Sequence, residues 1–291
     1  MNNILITGST GFLGSNLLDN LYNKNKIFLI VRKKNQKKNI IKKYKNVNII
    51  FYNKVDELNK KLKKYKIDIV VHCATHYVRN HNYSDVKKLN NSNILLGNVL
   101  LENLKNMKVK KFINFSTIWE DYNSLKDNNN NLYSAYKKSF GIILRYYEKI
   151  LSNIKFYNVM ISDTFGENDK RLKIITVLKN NYKKNKITKI ISKKLIMNLL
   201  NVKDISRAII LIIKKNIKPG KYLLKNNKNF KINEVIKELN KNSIKKLKIK
   251  WRSNKVIEEK IYPYSKLKGW EPKQSNILDI VNTILNKKQF F

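Results

Sequence analysis

Cysteine occurs once in the 291 residues, at Cys73, which excludes an internal disulfide and any multi-cysteine metal centre. Proline occurs 3 times and glycine 8 times, too rarely for a collagen-like or proline-rich chain. Acidic residues number 20 against 62 Lys and Arg, leaving a formal net charge of +42. Arginine is scarce as well, since 6 of those 62 cations are Arg and 56 are Lys. No apolar run reaches the length of a bilayer-spanning helix; the longest aliphatic stretch lies near 208–213. The opening Met1-Asn2-Asn3-Ile4-Leu5-Ile6 has no basic region ahead of a long apolar run, so no signal peptide and no membrane partner are expected. A reducing, cytoplasmic setting fits these absences.

What is present is a hydrophobic fraction of 42%, enough to bury a real core. The charge taken alone points to a polyanion partner. Its make-up argues otherwise. The chain has 45 Asn and 3 Ala, and residues with AT-rich codons are favoured throughout. This is the pattern of base composition acting on tolerant surface positions. Nucleic-acid readers depend on the bidentate guanidinium of Arg, so no specific nucleic-acid partner is expected. A lysine in this chain is a weak witness to function, and an arginine is a better one.

Six short apolar runs, 4–7, 27–31, 47–51, 67–72, 112–116 and 156–161, read as strands buried on both faces. Segments 13–22, 55–65, 86–106 and 134–150 carry helical spacing between them. This alternation predicts βαβ units and the α/β class: a Rossmann doubly wound parallel sheet over 1–165. Beyond residue 166 the order changes to mixed short strands and helices. That region predicts a smaller C-terminal substrate-binding lobe over 166–291, with some segments returning to the sheet.

Residues 7–14 read Thr7-Gly8-Ser9-Thr10-Gly11-Phe12-Leu13-Gly14, directly after a strand and at the start of a helix. Gly8 permits a tight turn, Gly11 a close backbone approach to a pyrophosphate, and Gly14 tight packing of helix on strand. Thr10, Phe12 and Leu13 complete the loop, and the helix N-terminus offers its free N–H groups to phosphate. Three of the 8 glycines fall within seven residues here, so a turn with no ligand is the weaker reading. The second strand ends in Val31-Arg32-Lys33-Lys34. An acid there would hold the ribose 2′-hydroxyl of NAD, whereas Arg32 suits the 2′-phosphate of NADP. NADP (as NADPH) is therefore the preferred cofactor, with NAD the alternative.

Tyr133-Ser134-Ala135-Tyr136-Lys137 puts Tyr133 and Lys137 four apart on one helical face. A lysine beside a phenol favours the phenolate, which lets the tyrosine act as acid or base. Upstream, the fifth strand ends in Ser116-Thr117, where Thr117 is placed to hydrogen-bond the same reacting oxygen. In a chain with 16 Tyr and 56 Lys, this spacing arises easily by chance. Its order, after the glycine loop and after a strand ending in Ser-Thr, is what gives it weight.

These motifs resemble the extended short-chain dehydrogenase/reductases of the NAD-dependent epimerase/dehydratase group. The resemblance runs through nearly the whole chain. It includes Val71-His72-Cys73-Ala74, Asn93-Ile94-Leu95-Leu96-Gly97, Asn201-Val202-Lys203-Asp204 and Gly269-Trp270-Glu271-Pro272. It implies Thr117, Tyr133 and Lys137 as the catalytic set. Gly8, Gly11, Gly14, Ala74, Asn93, Tyr133 and Lys137 would lie against the cofactor, and a nucleotide sugar would be the substrate. The stretches 114–119 and 131–133, with Asp163-Thr164-Phe165-Gly166 and Thr75-His76-Tyr77-Val78-Arg79, look most like nucleotide-sugar 4-reductases of the CDP-abequose/CDP-paratose synthase type. That subgroup implies NADPH-dependent reduction of a nucleotide-linked 4-keto-6-deoxyhexose for surface polysaccharide. His76, Tyr77, Arg79, Thr164 and Arg171 are the substrate candidates, and the two arginines are suited to a diphosphate. Members of the family often dimerise through helices of the first domain, so a homodimer is a further implication.

Two other readings use the same residues. A nucleotide-sugar 4-epimerase would keep NAD bound and recycle it. A catalytically idle relative would bind a polyanion through its lysines. His72, His76 and His81 lie within ten residues, but His72 and His76 straddle a strand end and a loop, so no metal site is expected. Cys73 reads as a small buried hydrophobe.

Overall fold

The computed structural model of the chain describes residues 1–32, 40 and 42–287. Lys33 and Lys34, named above beside Arg32, lie outside the described residues. Two compact units are present. The first comprises Met1–Met160, Ile209–Leu223 and Tyr262–Lys266; the second comprises Ile161–Ala208, Leu224–Ile261 and Leu267–Phe291.

The first unit is built on a seven-stranded sheet. Its strands β1 (Asn3–Thr7), β2 (Lys26–Val31), β3 (Val47–Phe51), β4 (Ile69–His72), β5 (Lys111–Thr117) and β6 (Lys155–Ile161) follow the apolar runs to within two residues at each end. Across the sheet the order is Gly220–Leu224, β6, β5, β4, β1, β2, β3. The pairs β1–β2, β2–β3, β1–β4 and β4–β5 are parallel. Strand order reverses between β1 and β4, which is where an open α/β sheet leaves a crevice at its strand C-termini. Ile4, Leu5, Ile6, Val70, Val71, Phe112 and Ile113 are fully buried, as central parallel strands covered on both faces require. One face packs on Leu100, Leu104, Phe140 and Leu144.

The segment predicted as one helix over 86–106 is divided. Helices Tyr83–Asn90, Leu96–Glu102 and Leu104–Met107 are separated by a π-helical turn, Asn91–Leu95, and by Asn103. The buried Asn93 and Asn103 turn inward to hydrogen bonds instead of completing an apolar stripe. The helix predicted over 134–150 spans Leu132–Ile150 and carries both Tyr133 and Lys137. Asn131 starts it: its side chain accepts from the Ser134 N–H at 3.0 Å, and its own N–H donates to Ser134 Oγ at 3.1 Å.

In the second unit, residues 161–165 cluster away from the Rossmann unit because strand Asp163–Phe165 pairs in parallel with Leu199–Asn201. Its core gathers Phe165, Leu178, Leu199, Val235, Leu239, Ile280 and Ile284. The two tail motifs meet at Asp204, which is fully buried. Its carboxylate accepts from the Lys273 N–H at 3.0 Å, the Gln274 N–H at 2.9 Å and the Ser275 hydroxyl at 2.5 Å. Trp270 Nε1 donates to the Asp204 carbonyl at 2.9 Å. Among the described residues no helix is long and apolar enough to cross a membrane.

Candidate active site

The glycine loop joins β1 to the helix Phe12–Leu21. Gly8 has φ +65°, and a Cβ there would sit 2.8 Å from the Ala74 Cα. A Cβ on Gly14 would overlap the Gly8 carbonyl. Both positions therefore need glycine, one for its φ and its contact with the end of β4, the other for the approach of helix to turn. The Gly11 N–H donates to the Gly8 carbonyl at 2.9 Å and closes the turn. The helix N-cap, Gly11, has no side chain to cap the first turn, and a helix N-terminus at such a loop suits an anion. Thr10 and Gly11 are exposed, Phe12 and Leu13 are half-buried, and the Ser9 hydroxyl is buried without a hydrogen-bond partner among the described residues. A cradle of this kind fits a dinucleotide pyrophosphate.

Thr7, His72 and Thr117 end β1, β4 and β5, and the parallel registers bring these ends to one edge of the sheet. Thr7 Oγ1 accepts from the Ala74 N–H at 3.0 Å and lies 2.9 Å from His72 Nδ1. Burial, with Lys137 nearby, pushes the His72 imidazole down to about 3, so the ring is neutral. Burial pushes the Cys73 thiol up to about 12, with Lys137 opposing, so Cys73 is no nucleophile.

Thr117 is 8% exposed, and its Oγ1 accepts from the Trp119 N–H at 3.3 Å. Tyr133 is half-buried beneath Tyr77, with ring centroids 5.2 Å apart in an edge contact, and Tyr77 also meets Trp119 at 6.1 Å. Lys137, one turn beyond Tyr133, is buried. Burial pushes its ammonium down to about 8, with Glu120 and Cys73 opposing. No hydrogen bond from Lys137 is found among the described residues.

Asn93 is buried and fixes the loop after β4. Its Oδ1 accepts from the His76 N–H at 2.8 Å and the Thr75 hydroxyl at 3.0 Å, and its Nδ2 donates to the His76 carbonyl at 3.1 Å. The His76 ring lies 3.3 Å from Asp85. Arg79 and Arg32 are exposed. Thr164 and Arg171 belong to the second unit, where Arg171 donates to Asp169 through Nε at 2.8 Å and Nη2 at 2.7 Å, and to Thr164 Oγ1 at 2.7 Å.

Glu120 was not singled out by the sequence. It is 1% exposed, three residues beyond Thr117, and burial pushes its carboxyl up to about 7, with Lys221 and Lys137 opposing. The signal available was two successive acids, Glu120-Asp121, in a chain poor in acids.

The chain is 24% identical to CDP-abequose synthase of Salmonella muenchen over 261 residues, covering 89% of this chain and 86% of that protein. It is 25% identical to CDP-abequose synthase of Yersinia pseudotuberculosis, covering 72% of each. The fold is similar to that of a UDP-glucuronic acid 4-epimerase mutant from Bacillus cereus, crystallised with NAD, at TM-score 0.80 and 21% identity over 98% of this chain and 99% of the other. The model of the NAD dependent epimerase/dehydratase family matches residues 4–224. The chain belongs to that family, as an NAD(P)-dependent enzyme of the extended short-chain dehydrogenase/reductase class.

Proposed function

We propose that the protein reduces the 4-keto group of a nucleotide-linked 4-keto-6-deoxyhexose with NADPH. The observation that supports this most is the similarity to CDP-abequose synthase along nearly the full length of both chains. The glycine loop, Arg32, Ala74, Asn93, Tyr133 and Lys137 would hold the dinucleotide, which supplies a hydride to the ketone carbon. Thr117 holds the carbonyl oxygen, and Tyr133 gives that oxygen its proton as negative charge develops. Lys137, charged and buried, lowers the cost of the Tyr133 phenolate and binds ribose hydroxyls. Tyr77, itself packed against Trp119, covers Tyr133 and limits water around it. Arg79 and Arg171 are the candidates for the nucleotide diphosphate, and His76, Tyr77 and Thr164 for other parts of the substrate. A homodimer through the Leu132–Ile150 helix is part of the same reading.

The test mixes the protein, NADPH and CDP- or dTDP-4-keto-6-deoxyhexoses and follows nicotinamide absorbance. Oxidation is expected, and Tyr133→Phe should slow it by about 10²–10⁴-fold while retaining cofactor. No oxidation across the substrate panel, with NAD co-purifying, would replace the reductase by a 4-epimerase.

A further inference from the structure

Glu120 and Asp121 are two successive buried acids, and Asp121 pairs with Lys138, the residue that follows the buried Lys137. Asp121 takes Lys138 at 2.5 Å and the Asp127 N–H at 2.7 Å. Glu120 lies within electrostatic range of Lys137. Its Oε2 is 3.4 Å from Lys221 Nζ. Lys221 in turn donates to the Tyr264 hydroxyl at 3.1 Å and sits over that ring at 4.2 Å. Glu120 Oε1 is buried with no hydrogen-bond partner among the described residues. A carboxyl held at such cost in solvation needs a compensating role.

We propose that Glu120 is a positioning residue for Lys137: its buried carboxylate keeps the Lys137 side chain charged and directed at the ribose of a bound dinucleotide, and Lys221 keeps Glu120 ionised. The inference rests on the reading of Lys137 as a cofactor-binding residue. Among the described residues the charged and titratable groups around Lys137 are few. The end of β4 contributes neutral His72 and the Cys73 thiol, Tyr133 lies one turn back, and Glu120 is the nearby carboxylate. Lys221, Tyr264 and Asp121 face Glu120 in turn. Burial drives Lys137 and Glu120 toward their neutral forms, and each opposes that drift in the other. Lys221 adds to the side of the ionised Glu120.

The experiment measures NADPH and NADH binding by the full chain, through nicotinamide fluorescence, from about pH 6 to about pH 9. Both dinucleotides are needed because the 2′-phosphate titrates near pH 6. In the unmodified protein, affinity should fall as Lys137 loses its proton around 8. In Glu120→Gln the same fall should begin about one pH unit lower, with affinity near pH 6 within about twofold of the unmodified protein. Lys137→Met should be weak and flat across the range. Lys221→Met should move the fall in the same direction as Glu120→Gln by a smaller amount; its side chain is partly exposed, so it serves if Glu120→Gln fails to fold. A profile unmoved in these variants, or one lowered by the same factor at every pH, overturns the positioning role alone. No binding of either dinucleotide by the unmodified chain overturns it together with the reading of Lys137.

Discussion

Asn93 holds His76 from both sides: Oδ1 accepts its N–H at 2.8 Å, and Nδ2 donates to its carbonyl at 3.1 Å. The side chain sits in the π-helical turn, so the local widening of the helix is what aims it at the loop after β4. That loop carries Ala74 beside Gly8 and Tyr77 above Tyr133. Asn93 therefore anchors, through backbone it does not belong to, the loop that makes both of these contacts.

Asn93→Leu keeps the volume and strands the His76 N–H and carbonyl and the Thr75 hydroxyl. Each His76 group that stays out of water costs up to about 1–3 kcal/mol, while the exposed Thr75 hydroxyl can turn to solvent. A clear drop in melting temperature is expected, with weaker dinucleotide binding. Asn93→Asp keeps the acceptor and loses the donor, so it should fall between Leu and the unmodified protein. Equal melting temperatures for all three would mean the loop does not depend on Asn93.

His72 gives a prediction about acid. Its folded value of about 3 lies well below the ordinary 6.5, so the unfolded chain binds the extra proton between those values. Stability then rises with pH across that window and is lost as pH falls through it, by up to about 1.4 kcal/mol per pH unit. His72→Asn retains a hydrogen-bonding group for Thr7 and has nothing to titrate. Denaturant unfolding of the two proteins should converge as pH falls from about 6.5 toward about 3. Lys137 follows the same rule higher up, with stability rising between about 8 and 10.5. Parallel pH curves for the two proteins would show that His72 is not buried neutral.

The sheet was legible because strands buried on both faces are written as unbroken apolar runs. The glycine loop was legible because glycine is rare here and three fall together. Asn131 was not. It lies in a run of four asparagines that reads as low complexity, and only the reciprocal bonds with Ser134 reveal it as the cap of the Leu132–Ile150 helix. The break in the 86–106 segment escaped notice because Asn91, Asn93 and Asn103 look like the surface asparagines that fill this chain, while two of them are buried and turned inward. Glu120 escaped for another reason. Its partner Lys221 is 101 residues away and is one of 56 lysines, so no local pattern could pair them.

The exposed face of the Leu132–Ile150 helix bears on oligomeric state. Ile142, Tyr146 and Ile150, four apart, are 54%, 59% and 52% exposed. A stripe of this kind is costly in water and typical of a surface that pairs. Light scattering should give a dimer mass for the unmodified protein, and Ile142→Lys with Tyr146→Lys should give a monomer. A monomer mass for the unmodified chain would end the dimer proposal.

Arg32 separates two roles of positive charge. It follows β2 directly and is exposed, and its field opposes the upward push that burial gives the Tyr52 phenol. If it takes the 2′-phosphate of NADPH, Arg32→Asp should weaken NADPH by about ten- to a hundredfold, the range for a charge-assisted bond, and leave NADH nearly unchanged. The diffuse field of 56 lysines acts differently. It attracts both dinucleotides and is screened by salt, so raising ionic strength should weaken both and raise the Michaelis constant of a doubly charged sugar nucleotide. A variant that loses NADPH alone, in a protein whose salt dependence is shared by NADH, assigns the contact to Arg32 and the background attraction to lysine. Equal losses of both dinucleotides in Arg32→Asp would return Arg32 to that background and remove the basis for preferring NADPH.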